Sequence, residues 1–418
     1  MAHQSDVLVI GGGVIGLCCA YFLAQRGYRV TVLEKARLGS GCSYGNAGLI
    51  VPSHSVPLAA PGVLGKGLRW LLNPESPLYL KPRLDGQLWA WLWRFCRACT
   101  ARHRQRAMPL LRDLHLASLR LYSELAALEG MDFGLAQRGL LTVCRTPQGF
   151  AAAREEAHLL QGIGLEAHPL SAAEVQQHEP RVAFRTVGGV FYPQDAHLDP
   201  ARFVQALARH LAARGVALQE ATEVFGFDTV GSRLTRVKTT RGDFAAEEVV
   251  LAGGAWSPQL ARLLDLRLLM QPGKGYSLTV RRPPAAPRTP LMLAEARVAV
   301  TPMDNVLRFA GTLELAGFDF SLSRRRLAAI CRAVPAYMPA LVVERLALVE
   351  IWRGWRPCTP DGLPYLGRTR RYANLTIATG HAMLGVSLGP ITGLLVAQLL
   401  SGEAPAVDLT LLRVERFA

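Results

Sequence analysis

Repeats, low-complexity tracts and Pro/Gly/Ser-rich linkers are absent from the 418 residues. That excludes solenoids, arrays and domains strung on flexible connectors. Charge is sparse at 19 %, while half of the residues are hydrophobic, so the chain builds a core and is not disordered. Acids are the scarcer sign, 32 against 47 Lys+Arg, for a net charge of +15. There is no nucleic-acid module, no lysine-rich tail, and the arginines are scattered. The excess therefore suits an anionic membrane surface or acidic ligands, not nucleic acid. The eight cysteines form no framework. Cys18 and Cys19 read as small apolar residues of a first helix, and Cys96-x-x-Cys99 lacks the second pair or the histidines of a metal centre. No metal is expected, and a reducing cytoplasmic compartment is. The first apolar run is broken by glycines and followed by no cleavage region, unlike a signal peptide. Residues 383–400 are uncharged, but Gly385, Gly389, Pro390, Thr392 and Gln398 favour a buried helix over a membrane span.

What is present begins at Val7-Leu-Val-Ile10, a buried parallel strand. It runs into Gly11-x-Gly13-x-x-Gly16, a helix over residues 17–25, a second strand Val30-Thr-Val-Leu33, and the acid Glu34. Gly11 makes the tight turn, Gly13 lets backbone approach a pyrophosphate, and Gly16 lets helix and strand close up. The helix N-terminus offers unpaired N–H groups and a positive dipole end. Glu34 follows at the spacing of a carboxylate that grips ribose hydroxyls. This is a dinucleotide site.

Small residues of the next stretch, Cys42-Ser43-Tyr-Gly-Asn46-Ala47-Gly48-Leu49, press backbone against a flat ligand, with Pro52-Ser-His54 beyond. Residues 65–106 change character: four tryptophans (Trp70, Trp89, Trp91, Trp93) lie near Arg69, Arg94, Arg97, Arg102, Arg104 and Arg106. Tryptophan with arginine suits a membrane interface, and equally a helix packed on the body. An amphipathic helix is expected over residues 110–128. Strands are expected over 139–144, 189–192 and 216–224, with Asp199 capping a helix that ends at Gly215. Residues 248–256 form a buried strand that ends in Gly253-Gly254, where a doubly wound sheet presents backbone to a ligand. Residues 273–280 and 306–312 alternate as antiparallel strands. The fold class is α/β (α+β overall), with a Rossmann-like domain assembled discontinuously from 1–62, 195–265 and 350–418. A second domain, an antiparallel sheet with helices, comprises 63–194 and 266–349. Only one fingerprint occurs, which leaves a flavin with an external acceptor or a nicotinamide alone. The glycine-rich turn at Thr379-Gly380-His381 into the last helix favours flavin, because a helix N-terminus there stabilises negative charge on a reduced ring.

Several motifs together carry a resemblance. They are the N-terminal fingerprint, Asn46-Ala-Gly48, Ala59-Ala-Pro-Gly62, Lys274-Gly-Tyr-Ser-Leu-Thr279, Arg356-Pro-x-Thr-Pro-Asp-Gly362 and Thr379-Gly-His381-x-x-x-Gly385. The chain resembles the bacterial D-amino-acid dehydrogenase small subunit, within the D-amino-acid oxidase and glycine oxidase superfamily. Cys42-Ser-Tyr-Gly and Pro52-Ser-His54 resemble its hydroxyproline dehydrogenase branch. The resemblance implies FAD and oxidative deamination of D-amino acids to 2-oxo acids and ammonia, by hydride transfer from Cα to flavin N5. Electrons would pass to a quinone or dye, from a protein that is cytoplasmic or peripheral on the membrane; an oxygen-using amine oxidase and a flavin-binding docking subunit are the alternatives. By matching motif, Gly11, Gly13, Val14, Ile15, Gly16, Glu34 and Lys35 would bind the ADP half of FAD. Ser43, Asn46, Ala47, Gly48 and Leu49 would lie along its ribityl chain and ring. Val224 would hold the adenine, and Gly253 and Trp256 would flank the pyrophosphate. Gly354, Gly380, His381, Leu384 and Gly385 would border the flavin. Arg356 would clamp the substrate carboxylate, since its fork matches a carboxylate. Tyr276 would add a phenol hydrogen bond, and Arg308 is a further cation of the site. His54 is a pocket residue, and no strong base is required for a hydride that leaves a neutral amine.

Overall fold

The computed structural model describes residues 3–63, 65, 78–81 and 83–417. The Trp/Arg stretch at 68–72, with Arg69 and Trp70, lies outside the described residues. Val7 to Ile10 are sealed from solvent because the strand His3–Ile10 is flanked on both sides by parallel partners, Gly242–Leu251 and Val30–Leu33. Such strands read as continuous apolar runs. Ala217–Gln219 extends this eight-stranded sheet on one side, and Arg233–Thr239 and Val224–Val230 on the other, while Leu375–Thr379 and Tyr365–Arg368 join through Gly242–Leu251. The expected strand over 216–224 is two strands, interrupted where Ala221 takes φ 50° and Thr222 N–H donates to the Glu34 carbonyl.

The helix Val14–Ala24 packs on Gly389–Leu400. A Cβ on Gly393 would collide with the Cys18 carbonyl, so the two axes approach as closely as backbone allows. That contact is why 383–400 is uncharged: its helix is core. Among the described residues no helix is long and apolar enough to cross a membrane.

The second sheet has nine strands. Leu348–Cys358, Gln271–Arg281, Val306–Leu315, Val298–Met303, Leu291–Leu293, Leu140–Cys144, Gly188–Tyr192 and His168–Ser171 lie in that order, with Leu78–Leu80 beside Val306–Leu315. The helix Arg324–Tyr337 covers one face, burying Leu278, Val280, Val300, Phe309, Ile330 and Val334 together. Residues 350–358, expected with the first sheet, belong here instead, because Leu348–Cys358 pairs along its length with Gln271–Arg281. The mixed α/β class holds.

The long helix Ala101–Ala126 buries Leu110, Leu111 and Leu114 in the core of the first sheet's helices and Met108 against Leu140, Val190 and Ala299 of the second sheet. The helix Gly86–Ala98 buries Trp91 with Leu315 and Cys358. The second is split by its periodicity. Leu88 and Trp91 are buried, and Phe95 stacks on Trp91 at 5.1 Å. Trp89 and Trp93 are exposed at 59 % and 53 %, with Arg94 and Arg97 over the Trp93 ring. One face packs on the body while the other presents tryptophan and arginine to solvent.

Candidate active site

Gly11 has φ 116°, and a Cβ there would collide with the Ala252 carbonyl. This is a turn only glycine makes, set against the end of Gly242–Leu251 beside Gly253. Gly13 caps Val14–Ala24 with no side chain of its own, so backbone alone lines this side of the helix start, as a phosphate cradle requires. A Cβ on Gly16 would strike the Gly11 carbonyl, which fixes the third glycine. The side chains of Val14 and Ile15 are buried, so only their backbone faces the cradle; Val14 N–H meets Ser43 Oγ at 3.0 Å. Glu34 accepts from Gly12 N–H at 2.8 Å and Ala36 N–H at 3.0 Å, which sets the acid at the edge of the glycine turn. Lys35 lies 3.6 Å over the Trp256 ring, and Trp256 stacks on Phe318. Val224 starts its strand near Glu34, two residues after the Thr222 contact.

The segment from Cys42 to Leu49 crosses from this cradle to the second sheet. Asn46 Oδ1 accepts from Gly48 N–H at 2.8 Å, and Gly48 has φ 72° with the Leu198 carbonyl where a Cβ would sit. Leu49 pairs with His197. Arg308, 5 % exposed, donates to the carbonyls of Tyr44 (3.3 Å) and Asn46 (2.9 Å) and to Thr279 Oγ1 (3.1 Å). Its work is to hold that segment against the sheet. Trp352 is wedged where Gly45 and Gly354 carry no Cβ.

Strand alternation decides which side chains face the cradle. Gly275, Ser277, Thr279, Arg308, Ala310, Trp352, Gly354 and Arg356 share one face through the registers 277↔310, 279↔308 and 275↔354. The Arg356 guanidinium lies flat on Gly275, where a Cβ would occupy its place, and donates to the Thr312 carbonyl. Burial presses its pKa down, and the neighbouring thiols Cys42 and Cys358 favour its charge; an arginine stays protonated through such a shift. Tyr276 is on the other face. Its hydroxyl donates to Glu314 at 3.0 Å and accepts from Ser323 N–H, within a buried set in which Glu314 also binds Lys274 and Arg326. It is not beside Arg356, a correction that one step of alternation imposes.

The turn after Leu375–Thr379 closes the site. Gly380 has φ 85°, Ala382 N–H donates to the Pro357 carbonyl at 3.0 Å, and Leu384 N–H donates to the His381 carbonyl at 2.8 Å. His381 is buried against Thr392 Oγ1 at 2.9 Å, and burial holds its pKa near 3, so the ring is neutral. Leu384 and Gly385 are half-buried at the turn into the last helix.

Sequence reading missed the buried polar atoms of the cleft. Ser277 Oγ and Thr301 Oγ1, on the shared face, and Thr312 Oγ1 at the bulge are buried without a hydrogen-bond partner among the described residues. Hydroxyls of this kind are costly unless a ligand meets them. Also missed was Asp195, 1 % exposed, which accepts from Ser53 Oγ at 2.5 Å and Ser53 N–H at 3.0 Å while Ser53 Oγ lies 3.4 Å from His54 Nδ1. No local motif marks it; only the fold brings residues 53 and 195 together. The backbone-lined helix start, the glycine turn at Ala252 and the unpartnered hydroxyls fit a dinucleotide with a flat ring.

Residues 6–399 match the family of FAD dependent oxidoreductases. The chain belongs to that family. Its cofactor is FAD, and the protein is an FAD-dependent oxidoreductase. Among curated relatives, the D-amino acid dehydrogenase of Granulibacter bethesdensis is 34 % identical, covering 99 % of each chain. That of Methylobacterium nodulans is 37 % identical over 96 % of each. The crystal structure of glycine oxidase from Geobacillus kaustophilus superposes with a TM-score of 0.81, at 29 % identity and full coverage of both chains. The resemblance carried by the motifs is thereby supported along the whole family match.

Proposed function

We propose that this FAD-dependent oxidoreductase deaminates D-amino acids oxidatively and passes the electrons to a quinone or a dye. The observation that carries the reading is Arg356: a half-buried guanidinium on the cleft face, beside Cys42 of the cofactor loop and on the strand that bridges to the His381 turn. A planar fork in that position suits an α-carboxylate held bidentately. Gly11, Gly13, Gly16 and Glu34 would hold the ADP half of FAD, and Asn46 to Leu49, Gly380 and His381 would border its ring. FAD, when bound, supplies the two-electron acceptor. The chain's part is orientation. Arg356 fixes the carboxylate, Arg308 fixes the loop, and the buried hydroxyls of Ser277, Thr301 and Thr312 offer hydrogen bonds to what binds there. His381, neutral across physiological pH, adds no charge to the turn. The exposed Trp89/Trp93 face with Arg94 and Arg97 would touch an anionic membrane surface, where a quinone acceptor resides. The full-length likeness to a glycine oxidase supports a second reading in which oxygen is the acceptor.

The test is anaerobic mixing of the holoenzyme with a panel of D- and L-amino acids and glycine, followed by oxygen or a quinone analogue. D-substrates should bleach the flavin band, with slow recovery in oxygen and fast recovery with quinone. Fast recovery in oxygen selects the oxidase reading, and bleaching by L-substrates alone rejects both. Arg356→Leu should keep its FAD and lose about 10²–10³-fold in kcat/KM, the scale of a truncated charge pair.

A further inference from the structure

Three segments far apart in the chain meet at one hydroxyl. Ser387 Oγ accepts from Val51 N–H at 3.0 Å and lies 2.8 Å from His115 Nδ1. Val51 follows the short strand Leu49–Ile50, and Ser387 follows the turn that holds Leu384 and Gly385. Leu384 also packs with Ala47, Leu49 and Val51 in one apolar cluster. His115 comes from the long helix Ala101–Ala126, whose same face carries Ser118 and Tyr122 at i+3 and i+7. The Tyr122 hydroxyl donates to the Val386 carbonyl at 2.5 Å, so this face holds residues 386 and 387 together. His115, Ser118, Tyr122 and Ser387 are all exposed by 1 % or less.

The hydrogen bonds fix which way this hydroxyl points. Its oxygen accepts from Val51, and its hydrogen finds an acceptor in His115 Nδ1. The proton of the neutral ring therefore sits on Nε2. Burial, and then the neighbouring His54, hold the His115 pKa near 3, so Nδ1 stays an acceptor. Nε2 and Ser118 Oγ are buried with no hydrogen-bond partner among the described residues. Leucine would fill the same space without that penalty, so the imidazole has its use at Nδ1, in directing Ser387. The opposite edge of the segment is held as well. Leu49 and Ile50 pair with His197 and Ala196, and Asp195 accepts from Ser53 N–H and Oγ. With that edge fixed, the tie to Ser387 sets how far the loop that ends at Val51 stands from the turn that begins at Gly380.

We propose that Ser387, directed by His115, is a positioning residue for the flavin, tying the loop on one border of the ring to the turn on the other and so fixing the width of its slot. This rests on the placing of Asn46 to Leu49, Gly380 and His381 along the ring proposed above. A slack slot misplaces the ring against the substrate Cα, while Arg356, on the second sheet, keeps its grip on the carboxylate. A misplacement of about 1 Å costs up to about 10²-fold in rate. In the holoenzyme, Ser387→Ala and His115→Leu should each lower kcat about 10- to 100-fold and leave KM for the D-substrate within about threefold. Both should shift the visible flavin bands in the same way, a readout independent of turnover. The double variant should be no worse than either alone, because both act through one hydroxyl. His115→Asn puts an amide oxygen at the place of Nδ1 and should restore both kcat and the bands. Ser387→Ala leaves the packing intact and carries the test if His115→Leu does not fold. The proposal is overturned if Tm falls while the bands and kcat stay as in wild type, if KM rises in place of a fall in kcat, or if the two losses add. Asn46→Ala tests the reading beneath it. Bands that respond to Asn46→Ala but not to Ser387→Ala remove the tie alone, and bands that respond to neither overturn both the tie and the placing of the loop along the ring.

Discussion

Arg308 and Arg356 project from the same face of one sheet and differ in what their forks meet. Arg308 spends its donors on two main-chain carbonyls of the cofactor loop, so it acts on substrate only through that loop. Arg308→Met leaves the carbonyls of Tyr44 and Asn46 buried and unpaired, at a cost of about 1–3 kcal/mol. FAD affinity should fall about tenfold to a hundredfold, read by fluorescence titration of the apoprotein. kcat/KM at saturating FAD should change much less. A loss of turnover with unchanged FAD affinity would instead place Arg308 on the substrate. Lysine should not rescue, since one ammonium cannot reach both carbonyls along a planar fork. Glycines at 11, 13 and 16 were legible in the sequence because their spacing is a local pattern, although only Gly16 meets its obstacle, the Gly11 carbonyl, within the turn, while Gly11 is held to glycine by the distant Ala252 carbonyl. The facing of Tyr276 was not: it depends on the register Gly273↔Arg356 and Tyr276↔Arg353 between two strands about 80 residues apart in the chain, and one step of that register decides which side chains share the cleft face.

At the scale of elements, the helix Gly86–Ala98 joins the exposed tryptophans to the chemistry. Asp85 caps it, accepting from Gln87 and Leu88 N–H, and Trp91 Nε1 donates to the Cys358 carbonyl at 2.8 Å. Cys358 lies two residues beyond Arg356 on one strand. Trp91→Leu removes an indole buried to 3 % exposure and orphans that carbonyl, costing about 2–4 kcal/mol. Calorimetry should show a Tm several degrees lower, and KM for the D-substrate should rise as Arg356 loosens. Trp89→Ser with Trp93→Ser should leave Tm within about a degree, because both rings are already in water, and should weaken sedimentation with anionic vesicles. Unchanged sedimentation would remove this face from any membrane contact. Helical spacing sorts these residues from sequence alone, since Leu88, Trp91 and Phe95 recur as i, i+3 and i+7. What the inner set packs against depended on Cys358, more than 250 residues away, and had no signal in the chain.

Across the whole molecule, the presence of two sheets from distant segments was legible, because the buried parallel strands of the first read as apolar runs and antiparallel strands of the second alternate. The boundary at 350 was not, since the strand Leu348–Cys358 exposes Leu348, Val349 and Ile351 and lacks the apolar continuity of its neighbours. The same packing sets the response to acid. Burial lowers His54 and His197 to about 4, and His115 and His381 to about 3, against an unfolded value near 6.5. A histidine held neutral in the fold contributes stability that is present above about pH 6.5 and lost as pH falls toward the folded value. Asp195 runs the opposite way: burial raises it to about 7, so its contribution is present below about pH 4 and is lost as pH rises through 7. Four histidines against one aspartate give a net loss on acidification with an upper slope of about 4 kcal/mol per pH unit. Tm should therefore drop steeply between pH 6.5 and 4.5, measured by calorimetry on the holoenzyme. His115→Gln should flatten the fall and Asp195→Asn should steepen it. A Tm that holds or rises as the pH is lowered would mean that these rings titrate in the fold as they do in water, and that the core between the two sheets is wetter than its packing implies.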